Sequence, residues 1–179
     1  MAEAFVNQVN RAVGIVTSSS NASIGVGLTW MSGISTAHVA INDLVDNANF
    51  IAGTKVTYVG VSSVQLDRAS TNTVAATASN VSFLGPTTSY TSASATKSIL
   101  IGGTFANNTA NSVNLTVTVY DNSTTTESQL AAKIPVPTGS SFVISDAGKT
   151  VLEATDEIRV FCDTANALDV NLSILTGVS

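Results

Sequence analysis

Two segments in the second half of the chain alternate apolar and polar residues without a break. In 113–120 every odd position is valine or leucine, and in 168–174 every even position is leucine, valine or isoleucine. Side chains of a β-strand point to opposite faces in turn, so this period of two predicts strands with one buried face and one face toward solvent. A helical period of 3.6 does not fit either segment. The chain therefore has to build sheets that pack against each other.

Composition extends this prediction to the whole chain. Only 11% of the residues are charged, against roughly 25% in ordinary soluble domains. Ser, Thr and Asn together supply 62 of the 179 residues, and hydrophobic residues supply 44%. Residues that favour sheets and residues that favour turns therefore dominate together. We predict an all-β protein, with an antiparallel β-sandwich or jelly roll in its C-terminal half.

Turn residues divide the chain into three parts. Gly85-Pro86 is a strong local stop, so we place a boundary there. Residues 28–85 are predicted to form a smaller β-rich module, with a hairpin between Val56 and Leu66 that turns around Gly60–Ser63. Residues 86–179 are predicted to form the β-sandwich. The two prolines in Ile134–Pro137 confine that segment to a sheet edge or a bulge.

Residues 1–27 are predicted to be an N-terminal arm. Phe5, Val9, Val13 and Val16 recur at near-helical spacing, which allows one or two helical turns that need a partner surface to be stable. A loosely packed terminus is the alternative. We name these four residues, with Trp30, as the candidate assembly interface, and we expect deletion of residues 2–16 to leave the rest folded.

The charge, the apolar pattern and the residue counts of the sequence disfavour several classes of function. Seven Lys and Arg against twelve Asp and Glu give a net charge of −5, which disfavours binding to a phosphate backbone. No apolar run approaches the roughly 18 residues of a membrane span, and the acidic N-terminus lacks the pattern of a secretory signal. With one cysteine and one histidine, most nucleophile–base schemes have too few residues. We expect no enzyme activity, no cofactor and no metal site.

Individual side chains that suggest chemistry also have simpler interpretations. His38 is predicted to lie on the surface, and Cys162 to be a small buried hydrophobe. The oxygen-rich segment 43–49 does not have the spacing of a calcium loop, and turn formation explains its residues. The aromatic residues that offer stacking surfaces for sugar rings are predicted to pack in a core or an interface instead: Trp30, Tyr58, Tyr90 and Tyr120.

An ordered series of segments carries a resemblance to a known family. In the second unit the segments are 113–121, 134–141, 151–160 and 165–175, and in the first they are 47–56 and 66–73. They resemble small β-sandwich virion structural proteins of tailed bacteriophages, most of all of cyanophages. The chain departs from that pattern at Thr155, because similar proteins commonly have glycine in this turn. The resemblance implies a place in a virion and no catalytic residues.

We therefore expect a non-enzymatic structural component of a tailed-phage virion, in particular a capsid decoration (cement) protein on the head surface. The alternatives are a neck, tail or fibre protein, and a carbohydrate-binding attachment module. The expected partners are other virion proteins and further copies of the chain, with a host glycan for the attachment alternative, and with neither nucleic acid nor membrane. The expected location is the virion, assembled in the host cytoplasm.

Overall fold

The computed structural model describes residues 3–145 and 149–178. Within these ranges the chain has fifteen β-strands and no helix, so the all-β prediction is confirmed. In the same residues there is accordingly no helix long and apolar enough to cross a membrane.

The chain forms two compact units, of which the second is inserted into the first. Unit 1 comprises the described parts of Met1–Val13, Thr87–Cys162 and Asn166–Ser179, and unit 2 comprises Gly14–Pro86 with Asp163–Ala165. The chain passes from unit 2 into unit 1 after Pro86.

Unit 1 consists of two antiparallel sheets. The five-stranded sheet has the order β1-β15-β9-β12, with β13 also paired to β9. Its strands are β1 (Ala4–Asn10), β9 (Lys97–Asn107), β12 (Ser141–Ile144), β13 (Thr150–Leu152) and β15 (Leu168–Val178). The four-stranded sheet has the order β11-β10-β14-β8. Its strands are β8 (Thr87–Thr91), β10 (Val113–Asp121), β11 (Thr126–Val136) and β14 (Glu157–Cys162).

The inward faces of these two sheets share one core. Leu100, Phe105 and Leu172 from the five-stranded sheet pack in the same buried cluster as Leu115 and Val160 from the four-stranded sheet. Both alternating segments of the sequence place their apolar positions in this cluster. Burial of about 25 cal/mol per Å² of apolar surface is the main force that holds such sheets together. The predicted sandwich is therefore present.

Unit 2 is a single six-stranded antiparallel sheet of order β4-β7-β2-β3-β6-β5. Its strands are β2 (Ile15–Ile24), β3 (Trp30–Ser32), β4 (Leu44–Asp46), β5 (Val56–Val59), β6 (Ser63–Leu66) and β7 (Ala76–Leu84). The two ends of the sheet meet, because Val56 donates to the Asp43 carbonyl and Val45 donates to the Thr54 carbonyl, both at 2.9 Å. The sheet thus closes on itself around its own buried cluster, which includes Met31 and Phe83. Closure leaves fewer strand edges exposed than an open sheet would.

Two local predictions are confirmed. The Val56–Leu66 segment forms the hairpin of β5 and β6, and the Gly60 amide donates to the Ser63 carbonyl at 2.8 Å across its turn. The segment with two prolines ends β11, which is an edge strand of the four-stranded sheet. Proline lacks the amide hydrogen that a central strand would need.

The first 27 residues differ from the predicted arm. The segment 4–10 is β1, which pairs with β15 from Ala4↔Thr176 to Asn10↔Val170. Val13 then lies in the core of unit 1 with 6% of its surface exposed, and Val16 packs against the core of unit 2. The prediction of helical turns was wrong because a spacing of four residues also keeps two side chains on one face of a strand.

Thr155 adopts a backbone conformation that glycine favours. Its φ is +69°, where the Cβ of a branched residue is in steric conflict with the backbone. The threonine hydroxyl accepts a hydrogen bond from the Asn122 amide at 2.9 Å, which ties this turn to the one that follows β10. Thr155 therefore keeps a positive φ although it is not glycine.

We predict that the residues of segment 4–16 contribute to stability according to their burial. Val13→Ala removes buried apolar surface and should lower the free energy of unfolding by about 2 kcal/mol. Phe5→Ala should change it by no more than about 0.5 kcal/mol, since Phe5 is 80% exposed. Urea denaturation followed by circular dichroism measures both variants. Equal, near-zero effects would show that this segment is an arm after all.

A second prediction concerns the turn at Thr155. Thr155→Ala and Thr155→Gly both lose the bond from Asn122, but only glycine has no Cβ in the left-handed region. We expect the glycine variant to be more stable than the alanine variant by about 1 kcal/mol. The comparison uses the same denaturation experiment. An alanine variant that is the more stable of the two would contradict the backbone described here.

Candidate functional site

The outer face of the five-stranded sheet carries an apolar row that crosses four strands. Residues paired directly across strands project to the same side of a sheet. Phe5 pairs with Leu175, Leu175 with Ile99, and Ile99 with Val151. Their neighbours Leu100 and Ile174 face the core, so these four side chains face outward. Phe5 is 80% exposed and Val151 is 54% exposed, while the two central residues are half-buried.

A second row of paired residues crosses the same sheet, four positions away from Leu175 along β15. It is uncharged as well. Val9 pairs with Asn171, Asn171 with Thr104, and Thr104 with Val143. Val9 and Val143 are exposed at the two ends of this row. Between the two rows lie the paired residues Asn7, Ser173 and Gly102. We call the surface formed by these two rows and the residues between them the outer patch.

Among the described residues, an ion pair lies at each end of the outer patch. At one end Arg11 lies 3.9 Å from the Asp169 carboxylate, and at the other the Lys97 ammonium lies 3.0 Å from the Glu153 carboxylate. Ion pairs as exposed as these contribute little to stability. An uncharged apolar centre with a polar border is the anatomy of a protein–protein interface. The outer patch is therefore the candidate functional site of unit 1.

The five residues named from the sequence have different environments within the two units. Phe5 and Val9 lie together on the outer patch. Val13 and Val16 pack against cores, so neither offers its side chain to a partner, and Trp30 lies on the surface of unit 2.

Sequence reasoning missed four members of the outer patch. They come from four separate strands, β9, β12, β13 and β15: Ile99, Val143, Val151 and Leu175. Only strand order and register bring these residues together. The single signal in the sequence was the even spacing of Phe5 and Val9, which fits a strand as well as a helix.

The outer face of the four-stranded sheet carries a closed charged cluster. The Arg159 guanidinium lies 3.6 Å from the centroid of the Tyr120 ring and donates to the Glu157 carboxylate at 2.8 Å. The Thr88 hydroxyl donates to the same carboxylate oxygen at 2.8 Å. Burial alone would raise the pKa of Glu157, but the bonds from Arg159 and Thr88 and the arginine charge bring it below its ordinary value. A carboxylate that stays ionised and engaged in this way is a poor general acid.

The sequence also drew attention to His38, to Cys162 and to the segment 43–49. His38 is exposed and has a φ of +62°, and the Cys162 side chain is completely buried in the core of unit 1. In the segment 43–49, the Asn47 amide donates to the Asn80 carbonyl at 2.6 Å, while its oxygen accepts from the Asn49 backbone at 2.8 Å. These are turn interactions. Among residues 3–145 and 149–178, no three His, Cys, Asp or Glu side chains come together in a group that could hold a metal ion.

Asp43 is a buried carboxyl group that anchors the turn before β4. Its Oδ2 accepts a hydrogen bond from the Ala40 amide at 2.8 Å, and 6% of the residue is exposed. Burial raises the pKa of Asp43 above its ordinary value, and the bond from Ala40 offsets part of that increase. Gly85 leaves room for the carboxyl group, because a Cβ there would lie 2.4 Å from Oδ1.

No protein-family model, no curated protein and no solved structure matches this chain.

We predict that Asp43 makes unit 2 less stable as the pH rises. Its pKa is higher in the folded chain than in the unfolded chain, so the folded state binds the proton more tightly and loses that advantage as the pH rises through the folded pKa. Asp43→Asn removes this dependence. The free energy of unfolding of Asp43→Asn minus that of the wild type should therefore be larger at pH 7 than at pH 4.

The control is Asp46→Asn, which neutralises an exposed carboxylate at the end of β4, close in sequence to Asp43. Urea denaturation at both pH values gives the comparison. A larger pH effect for Asp46→Asn than for Asp43→Asn would contradict the prediction.

Proposed function

We propose that this chain is a non-enzymatic structural component of a tailed-phage virion, in particular a decoration protein of the head surface. In this proposal the outer patch seats against neighbouring virion subunits. The observation that carries it is the uncharged apolar row from Phe5 to Val151, with Lys97–Glu153 and Arg11–Asp169 at the ends of the patch.

The exposure of Phe5 supports the proposal. Because 80% of the Phe5 surface stays in water, this side chain contributes almost nothing to the stability of its own fold. The same side chain contributes when a partner covers it, since aromatic residues are enriched among the residues that dominate binding energy. Its backbone is held in place by β15, so binding does not have to order it first.

The apolar row from Phe5 to Val151 is too short to form a stable interface by itself. Strands lie about 4.8 Å apart, so three gaps from Phe5 to Val151 span about 14 Å. A stable interface buries about 800 Å² on each partner. The row would therefore form the centre of the contact, and the Ser, Thr and Asn residues around it would form the hydrogen-bonding periphery.

The low charge of the chain fits repeated packing in a shell. A net charge of −5 over 179 residues limits repulsion when many copies crowd together. The neck and tail alternatives require the same kind of surface and differ in copy number. Hundreds of copies per particle would favour the head surface, whereas a small multiple of a ring symmetry would favour the neck or the tail.

We predict that a charge at Phe5 abolishes incorporation. Phe5→Asp puts a carboxylate into the centre of the contact, and its desolvation should weaken binding at least about thirtyfold. The matched control is Val61→Asp, at a turn of unit 2 where the side chain is 98% exposed. A phage that lacks its own copy of the gene is complemented with each variant, and copies per particle are counted by quantitative mass spectrometry.

Circular dichroism first verifies that both variants fold like the wild type. Size-exclusion chromatography with light scattering then tests whether the chain associates with itself and whether Phe5→Asp dissociates the oligomer. A monomeric wild type would mean that the partner lattice imposes the order. Particles that carry Phe5→Asp at the wild-type copy number would contradict the assigned surface, and absence of the wild-type chain from particles would refute the virion role.

A further inference from the structure

Two aromatic side chains, distant in sequence, meet on the outer face of the sheet of unit 2. Trp30 of β3 and Tyr58 of β5 are both in register with Gln65 of β6, which lies between them. The adjacent residues Met31 and Val64 are buried, so Trp30, Gln65 and Tyr58 project outward. The ring centroids are 5.9 Å apart and the ring planes meet at 62°.

These two rings are open, whereas the other two candidate stacking rings are engaged. Trp30 is 45% exposed and Tyr58 is 52% exposed. By contrast, Arg159 covers one face of the Tyr120 ring at 3.6 Å, and the half-buried Tyr90 shares a hydrogen bond of 2.8 Å with Ser98. Only the pair in unit 2 therefore presents adjoining aromatic surface to solvent among the four rings.

Hydroxyl groups line the surface beside the rings. Ser23 pairs with Ser32, and Ser32 pairs with Ser63, so the three serines form a row across the sheet. This row runs beside the aromatic row, because Ser32 follows Trp30 by two residues on β3. Ser23 and Ser32 are exposed and Ser63 is half-buried. No member of either row carries a charge.

We propose that these two rows form a binding site for a neutral saccharide. The C–H face of a pyranose ring is apolar and stacks on an aromatic ring, while its hydroxyls need donors and acceptors at the edge. The inclined rings of Trp30 and Tyr58 supply a floor and a side wall, and the Gln65 amide and the serine hydroxyls supply groups that both donate and accept. The site is independent of the outer patch and of the proposed virion role.

The chemistry of the two rows disfavours other flat ligands. A single-stranded nucleic acid also stacks on aromatic rings, but it needs cations along its backbone, and neither row has one. A protein partner would favour a larger apolar centre than two rings bordered by an amide and three hydroxyls. A neutral polyhydroxylated ligand matches both rows.

The chain supplies its own reporter for the test, because Trp30 is its single tryptophan. A glycan array with neutral and anionic oligosaccharides identifies the ligand, and titration of Trp30 fluorescence then gives its affinity. We expect saturable binding of a neutral oligosaccharide. Tyr58→Ala should weaken it about tenfold while leaving the reporter in place, and Tyr58→Phe should restore most of the affinity.

The matched control is Phe5→Ala, which removes an exposed aromatic ring in unit 1 and should leave saccharide affinity within about twofold, an effect at the level expected of an uninvolved surface residue. Oligothymidylate is titrated in parallel. The proposal is overturned if no neutral glycan on the array binds, if oligothymidylate binds more tightly than any glycan, or if Tyr58→Ala binds as well as the wild type.

Discussion

The pairing of β1 with β15 is the interaction that ties the start of the chain to unit 1. It joins the first described strand to the last, so the five-stranded sheet is complete only after β15 has been made, and unit 2 lies between β1 and β8 in the sequence. The Val13 amide extends the connection by donating to the Leu168 carbonyl at 3.2 Å. The same register turns Phe5 outward and thereby creates one end of the apolar row. A stabilising interaction and a candidate binding surface thus come from one strand.

Charge is used sparingly in this chain, and much of it is paired. Arg159 with Glu157, Lys97 with Glu153, Arg11 with Asp169 and Arg68 with Asp67 include eight of the nineteen charged residues. Arg159 is also held against Tyr120. Each unit also has an uncharged surface: unit 1 has the apolar outer patch, and unit 2 has the aromatic, hydroxyl-lined site.

Much of the fold was predictable because the relevant signals are local. Strict alternation predicted β10 and β15, turn residues predicted the β5–β6 hairpin, and the prolines placed the end of β11 at a sheet edge. The first 27 residues were not predictable in the same way. Phe5 and Val9 project away from the core, so β1 has no buried apolar face of its own to reveal a strand. The residue that pairs with the buried Leu172 is the polar Gln8.

The sequence by itself determined that this chain folds into antiparallel sheets, since alternation and turn chemistry act over a few residues. It also determined the low charge that both proposals use. Only the tertiary structure decided which side chains share a surface. Trp30 and Tyr58 meet through Gln65 on a strand between them, and Phe5 is joined to Val151 through β15 and β9. Strand order and register set these neighbours, and both arise from the packing of the whole core rather than from any local pattern.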